Sequence, residues 1–213
     1  RDWVGVLPPN PWVIGSGLVD YVCVSGRYIL DSLTRNGISP AKLRDTGLVD
    51  HDKLHESWLK AGRKRAFRKT SEFNIVMVAL PIPFVSDNGS QEDVSGRLYT
   101  VLFDVLAKLN VIVLVSVHPK TSKELVRLLQ SKYDFEIVDE PLAEVVPAVD
   151  LFITSQGSST VPWGILCDVP TLVMCWFGYE YPPHWYLSDF LVRVKRECDF
   201  EDAVVKILSS QPA

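Results

Sequence analysis

The stretch Asp150–Trp176, DLFITSQGSSTVPWGILCDVPTLVMCW, decides how the rest of the chain is read. It predicts a buried strand over Leu151–Thr154, a small polar loop over Ser155–Ser159, a short helix, and a second buried strand over Thr171–Cys175. A helix start presents backbone N–H groups and partial positive charge, so a loop of Ser, Gly and Thr feeding one suits a phosphate. The Ser158 and Ser159 hydroxyls can cap the helix or donate to the anion, and Pro162 falls in the first turn, where its missing N–H costs nothing. A plain Ser-rich helix cap accounts for the same residues equally well.

Outward from this stretch the pattern is regular. Before it come apolar runs at Phe73–Leu80, Val111–Val117 and Phe135–Val138, and after it Phe190–Val194. Between them lie helical spacings at Glu92–Lys108, Ser122–Lys132 and Pro141–Val146, with a last helix over Phe200–Leu208. Continuous apolar strands alternating with amphipathic helices predict a parallel sheet with right-handed crossovers. The fold class expected is α/β: a Rossmann-like, doubly wound sheet of about six strands, preceded by a partial α/β remnant. That remnant comprises a strand at Leu18–Val24, a helix at Gly26–Asn36 stopped by Gly37, and a short strand near Lys42–Asp45. A helix over Leu54–Lys69 then leads into the sheet. Residues 1–69 are read as the remnant with its connecting helix, and residues 70–213 as the main domain.

Composition removes several classes. The chain has 213 residues, 47% hydrophobic, enough for a full core. A net charge of −4 gives no global field for nucleic acid. The run KAGRKRAFRK (Lys60–Lys69) carries six basic residues, but a solvated connecting helix explains it better than a nucleic-acid or membrane patch. No apolar run reaches the roughly 18–20 residues of a membrane span, which predicts no transmembrane segment. Cys23 and Cys175 in apolar runs, and Cys167 ending an apolar helix, read as buried reduced thiols, as expected in the cytoplasm. The four His residues form no ligand cluster with the cysteines, so no metal is expected; His51 and His55 read as surface residues. GxGxxG and GxxxxGK[ST] are both absent, which argues against a nicotinamide enzyme and a P-loop NTPase. The start at Arg1 without Met suggests a fragment or a processed product.

Ligands of open parallel sheets lie at the carboxyl ends of the strands. After the second strand of the main domain comes His118-Pro119-Lys120: His118 can donate to a phosphate or act as an acid, and Lys120 can supply charge. A turn or capping role for His118 stays open. After the third comes Asp139-Glu140, which suits a ribose or base edge, or simply caps the next helix. After the fifth comes FGYEYPPHWYLSDF (Phe177–Phe190), with Tyr179, Glu180 and His184 able to contact a sugar. An aromatic plug against a neighbouring domain is the alternative.

The run Val138–Phe177 resembles the carboxyl-terminal domain of GT-B glycosyltransferases, in which an Asp-led strand, a Ser/Gly-rich turn and a helix lead to "G-x-P" and the next strand. Asp168 stands where the family has Gly. His118-Pro119 together with Ser158-Ser159-Thr160 is similar to the HP and S-S/T motifs of bacterial sialyltransferases and capsule polymerases. Leu18–Asp52 resembles the end of the GT-B amino-terminal domain and the hinge crossing, so the resemblance implies that most of that domain is missing. It also implies a nucleotide-sugar donor, CMP- or UDP-linked, used without a cofactor. Catalysis would fall to His118, and nucleotide or phosphate binding to Ser155, Gly157, Ser158, Ser159, Thr160, Lys120 and Glu140. Sugar and acceptor contacts would fall to Tyr179, Glu180 and His184. The acidic ribose-binding residue that many GT-B enzymes carry is absent near Trp163, which shifts that contact to Thr160 or Glu140 and points away from UDP. The acceptor implied is a surface polysaccharide or lipid-linked glycan, with room for peripheral association at the inner membrane face. A nucleotide-sugar 2-epimerase of the same fold and a non-catalytic nucleotide-binding module are the alternatives.

Overall fold

A computed structural model describes residues 19–47, 49–67, 73–80, 91–119, 121–156, 158–176 and 191–210. The chain divides into two compact units, Arg1–Lys53 and Leu54–Ala213.

In the first unit, β1 (Val22–Val24) pairs in parallel with β2 (Leu43–Asp45), joined through helix α1 (Arg27–Arg35). Gly37, at φ 88°, ends the helix as expected. Its amide reaches the Thr34 carbonyl, and the Ile38 amide the Leu33 carbonyl, both at 3.0 Å. These bonds satisfy the last carbonyls of the helix, and Ile38 is buried in the same small core as Leu33. The strand is shorter than the expected Leu18–Val24, whose first residue lies outside the described ones. Cys23 is exposed, not buried: in a two-stranded ribbon alternate side chains leave the core, so an apolar triplet buries only Val22 and Val24.

Helix α2 (Val49–Phe67) spans the division and starts earlier than the expected Leu54. In the second unit follow β3 (Asn74–Ala79), α3 (Gln91–Leu106), β4 (Val111–Ser116), α4 (Lys123–Gln130), β5 (Glu136–Ile137) and α5 (Leu142–Val145). Then come β6 (Leu151–Ser155), α6 (Val161–Leu166), β7 (Thr171–Met174), β8 (Leu191–Val194) and α7 (Phe200–Ser209). Pro141 precedes α5 rather than sitting within its first turn. The Ser122 hydroxyl caps α4 by accepting from the Leu125 amide at 3.1 Å.

The six strands β3 to β8 form one sheet, every neighbour parallel, in the order β5-β4-β3-β6-β7-β8. This is the α/β doubly wound sheet that the apolar runs predict. Because side chains alternate across a strand, each buried strand feeds two cores. Val76, Val78, Leu151, Ile153, Leu172 and Met174 meet α3 and α7 through Tyr99, Phe103 and Phe200. Met77 and Phe152 face the opposite way, onto Leu54, Val146, Val149, Cys167 and Val169. Helix α6 lies so close to β7 that a Cβ on Gly164 would stand 1.8 Å from the Thr171 hydroxyl oxygen; only glycine permits this approach. Asp168 adopts φ 54°, a left-handed conformation that glycine would hold without strain.

Candidate functional site

The strand order reverses between β3 and β6: from β3 the chain moves to β4 and β5, then returns to add β6, β7 and β8 on the other side. The loops leaving the carboxyl ends of β3 and β6 therefore diverge, and the crevice between them is where such sheets receive ligands. The β3 loop, residues 81–90, lies outside the described residues. The β6 loop is the opening stretch of the sequence.

Ser155 is not a loop residue. It closes β6, opposite Met174, and is 8% exposed. The extra pairing arises because the Gln156 amide also reaches the Met174 carbonyl, at 2.9 Å. Two tight turns follow, with the Ser158 amide on the Ser155 carbonyl at 3.1 Å and the Val161 amide on the Ser158 carbonyl at 3.2 Å. The Thr160 amide donates to the Ser158 hydroxyl at 3.3 Å, and the Trp163 amide to the Thr160 carbonyl at 2.9 Å. Pro162 sits in the first turn as expected.

This corrects the expected anion cradle. Among the described amides from Gln156 to Trp163 only that of Ser159 makes no hydrogen bond, so the start of the six-residue helix is largely self-satisfied. The residue at the cap position is Thr160, which makes no side-chain cap bond; Ser158 acts one turn earlier. What the loop presents instead is hydroxyl groups. Thr160 Oγ1 lies 2.7 Å from Ser158 Oγ and 3.3 Å from the fully buried Thr154 Oγ1. Ser159 is exposed. Gly157 lies outside the described residues.

Two strands away, half-buried His118 stands just past the end of β4, its carbonyl accepting from the Thr121 amide at 2.8 Å in a turn around Pro119. Thr121 is buried, and its hydroxyl has no hydrogen-bond partner among the described residues. Lys120, Tyr179, Glu180 and His184 lie outside the described residues. The fold takes Glu140 elsewhere: with Glu136 and Glu144 it rims an open groove of about 540 Å³, floored by Ile75, Ile112 and Leu114. No described residue from Ser155 to Thr160 lines that groove.

Beyond β7, Cys175 is half-buried rather than buried. Burial pushes its thiol pKa up, against the opposing hydrogen bond and charge of Arg193 and the charge of Lys195. The thiol donates to the Val173 carbonyl at 3.4 Å. Among the described residues no group of three or more His, Cys, Asp or Glu stands together as a metal site, and no helix is long and apolar enough to cross a membrane.

Sequence reasoning did not single out Thr154 or Gly164. A hydroxyl inside an otherwise apolar strand, and a glycine inside a short helix, were the signals available.

No family model matches the chain, and no curated protein matches it in sequence. Solved structures do match its fold. The UDP-GlcNAc 2-epimerase of Methanocaldococcus jannaschii, in complex with UDP-GlcNAc and UDP, superposes with a TM-score of 0.64 at 17% identity, over 90% of this chain and 55% of that one. The wall teichoic acid polymerase TagF with CDPG gives 0.53 at 16% identity, over 89% and 49%. Anabaena HepE in complex with UDP and glucose gives 0.50 at 11% identity, over 90% and 54%. At such identities the likeness is one of fold: a Rossmann-like GT-B half. The chain spans about half the length of these structures.

Proposed function

We propose that the unit Leu54–Ala213 is the nucleotide-sugar-binding half of a GT-B glycosyltransferase. The observation that carries the reading is the strand order, which brings the hydroxyl-rich loop after β6 to the point where the sheet reverses. The fold shared with proteins solved with UDP, UDP-GlcNAc and CDPG supports it. In this reading Ser155, Gly157, Ser158, Ser159 and Thr160 form the stretch that receives the donor's phosphates, with the Ser158 and Ser159 hydroxyls acting more than the helix start. His118 donates to the leaving phosphate, and Lys120 adds charge. Tyr179, Glu180 and His184 contact the sugar or acceptor. The groove position of Glu140 favours Thr160 over Glu140 for the ribose. The donor is CMP- or UDP-linked, and the reaction is sugar transfer to a glycan or lipid-linked hydroxyl without metal. The site's work is done at the cytoplasmic side, with peripheral contact to the membrane. The specific likeness to sialyltransferases rests on the sequence motifs alone. Because a GT-B site closes between two domains, the unit Leu54–Ala213 by itself binds nucleotide and turns over little in this reading.

Thermal unfolding with UDP, UMP, CDP and CMP tests the reading, since a ligand that binds only the folded state raises the midpoint. A rise with at least one nucleotide is expected. Changing both Ser158 and Ser159 to Ala should abolish the rise and leave the chain folded. No rise with any nucleotide at millimolar concentration defeats the reading; a rise that survives the double substitution defeats the site assignment. A nucleotide-sugar epimerase of the same fold is the second reading, prompted by the TM-score of 0.64 to such an enzyme. Sugar interconversion with no acceptor present selects it.

A further inference from the structure

We propose that Thr154 and Thr160 are positioning residues that turn the Ser158 hydroxyl into an obligate donor, so that the ligand atom received there is an unprotonated oxygen such as a phosphoryl oxygen. This rests on the nucleotide reading of the β6 loop.

Thr154 lies in the middle of the sheet, fully buried, and among the described residues its hydroxyl touches one polar partner, Thr160 Oγ1 at 3.3 Å. A hydroxyl has one proton to give and two lone pairs to receive. Had Thr160 donated to Thr154, the Thr154 proton would be buried with no acceptor among the described residues, which is the costlier arrangement. Thr154 is therefore the donor. Thr160 Oγ1 then accepts from Thr154 and stands 2.7 Å from Ser158 Oγ, an ordinary O–H···O distance. A head-to-tail chain, in which each hydroxyl accepts from one neighbour and donates to the next, is strengthened by mutual polarisation. It runs Thr154 to Thr160 to Ser158. Ser158 Oγ also receives the Thr160 amide hydrogen, at 3.3 Å. Both lone pairs of Ser158 are thus engaged by one residue, Thr160. Its own proton has no acceptor among the described residues, and it sits on the loop at the strand reversal. Such a group cannot accept. It selects an acceptor and discriminates against a ligand group that must donate.

The relay is separable from the short helix beside it. Its origin is a strand residue in the core, so the direction is set before any ligand arrives, and no reorganisation is needed on binding.

Two measurements on the whole chain test this. First, proton NMR without ligand should show slowly exchanging hydroxyl protons for Thr154 and Thr160, and Thr154→Val should speed exchange of the Thr160 hydroxyl. A Thr154 hydroxyl that exchanges as fast as solvent-exposed hydroxyls overturns the relay. Second, calorimetric titration with UDP and CDP should show Thr154→Val binding about fivefold more weakly than the wild-type chain, with Thr154→Ser restoring affinity. A merely structural role predicts that the Val variant loses folding stability but, once folded, binds normally; that result also overturns the proposal. If the wild-type chain binds neither nucleotide, the nucleotide reading fails by itself, and the relay is judged on the hydroxyl resonances.

Discussion

At the amino end of β6, the Asp150 carboxylate accepts the Ile75 amide hydrogen at 2.7 Å, and the Asp150 amide donates to the Ile75 carbonyl at 2.8 Å. At the carboxyl end, Thr154, Thr160 and Ser158 form a line of hydroxyls that ends on a proton with no acceptor among the described residues. The first arrangement is closed and pins the start of β6 to β3. The second is organised but open. In a parallel sheet every strand points the same way, so a central strand can spend its polar groups on the fold at one end and keep them for a ligand at the other. The aspartate that leads the strand and the hydroxyls that follow it are both polar residues flanking an apolar run, yet they have different work.

The largest effect is expected at Gly164. Gly164→Ala places a Cβ against Thr171 and forces α6 away from β7, which should lower stability by about 1–3 kcal/mol in urea unfolding. It should also weaken nucleotide binding, because α6 carries the open end. Adding Thr171→Ala should recover part of the stability, and simple additivity would show that the contact is relieved in another way.

Asp150→Ala attacks the closed end alone. It leaves the Ile75 amide without its carboxylate and should cost about 1–2 kcal/mol, with nucleotide affinity of the folded protein unchanged. A fall in affinity comparable to that of the Ser158/Ser159 double change would show that the two ends are coupled. The smallest effect is expected at Asp168, on the turn between α6 and β7. Asp168→Gly relieves the left-handed backbone at φ 54° and should raise the urea midpoint by the equivalent of about 0.5 kcal/mol. A loss of stability there would mean that the Asp side chain earns its place through contacts outweighing the strain.

Much of the fold is legible in the sequence, because apolar runs such as Ile75–Ala79 and Leu151–Ile153 read as strands buried on both faces or as buried helices, and their length decides between the two. Local chemistry is equally readable: Gly37 and Ser122 end and begin their helices as their residue types predict. The candidate site is legible in composition but not in hydrogen bonding. The same Ser-Gln-Gly-Ser-Ser-Thr letters describe a loop with free amides and a loop whose amides are consumed, and the difference lies in where the Ser155, Ser158 and Thr160 carbonyls turn. Cys23 shows the same limit in the small unit. An apolar triplet has no way of stating how many of its faces are covered.

The residues alone therefore determine the alternation of strands and helices, the α/β class, and the concentration of hydroxyls after one apolar strand, because periodicity, propensity and capping act over a few residues. The tertiary structure alone decides that this strand lies beside β3 at the reversal of the sheet, that Glu140 goes to a separate groove, and that a buried threonine in the core stands behind the loop. Strand neighbours are set by which faces bury the most apolar surface together, a property of the whole chain that no local stretch contains.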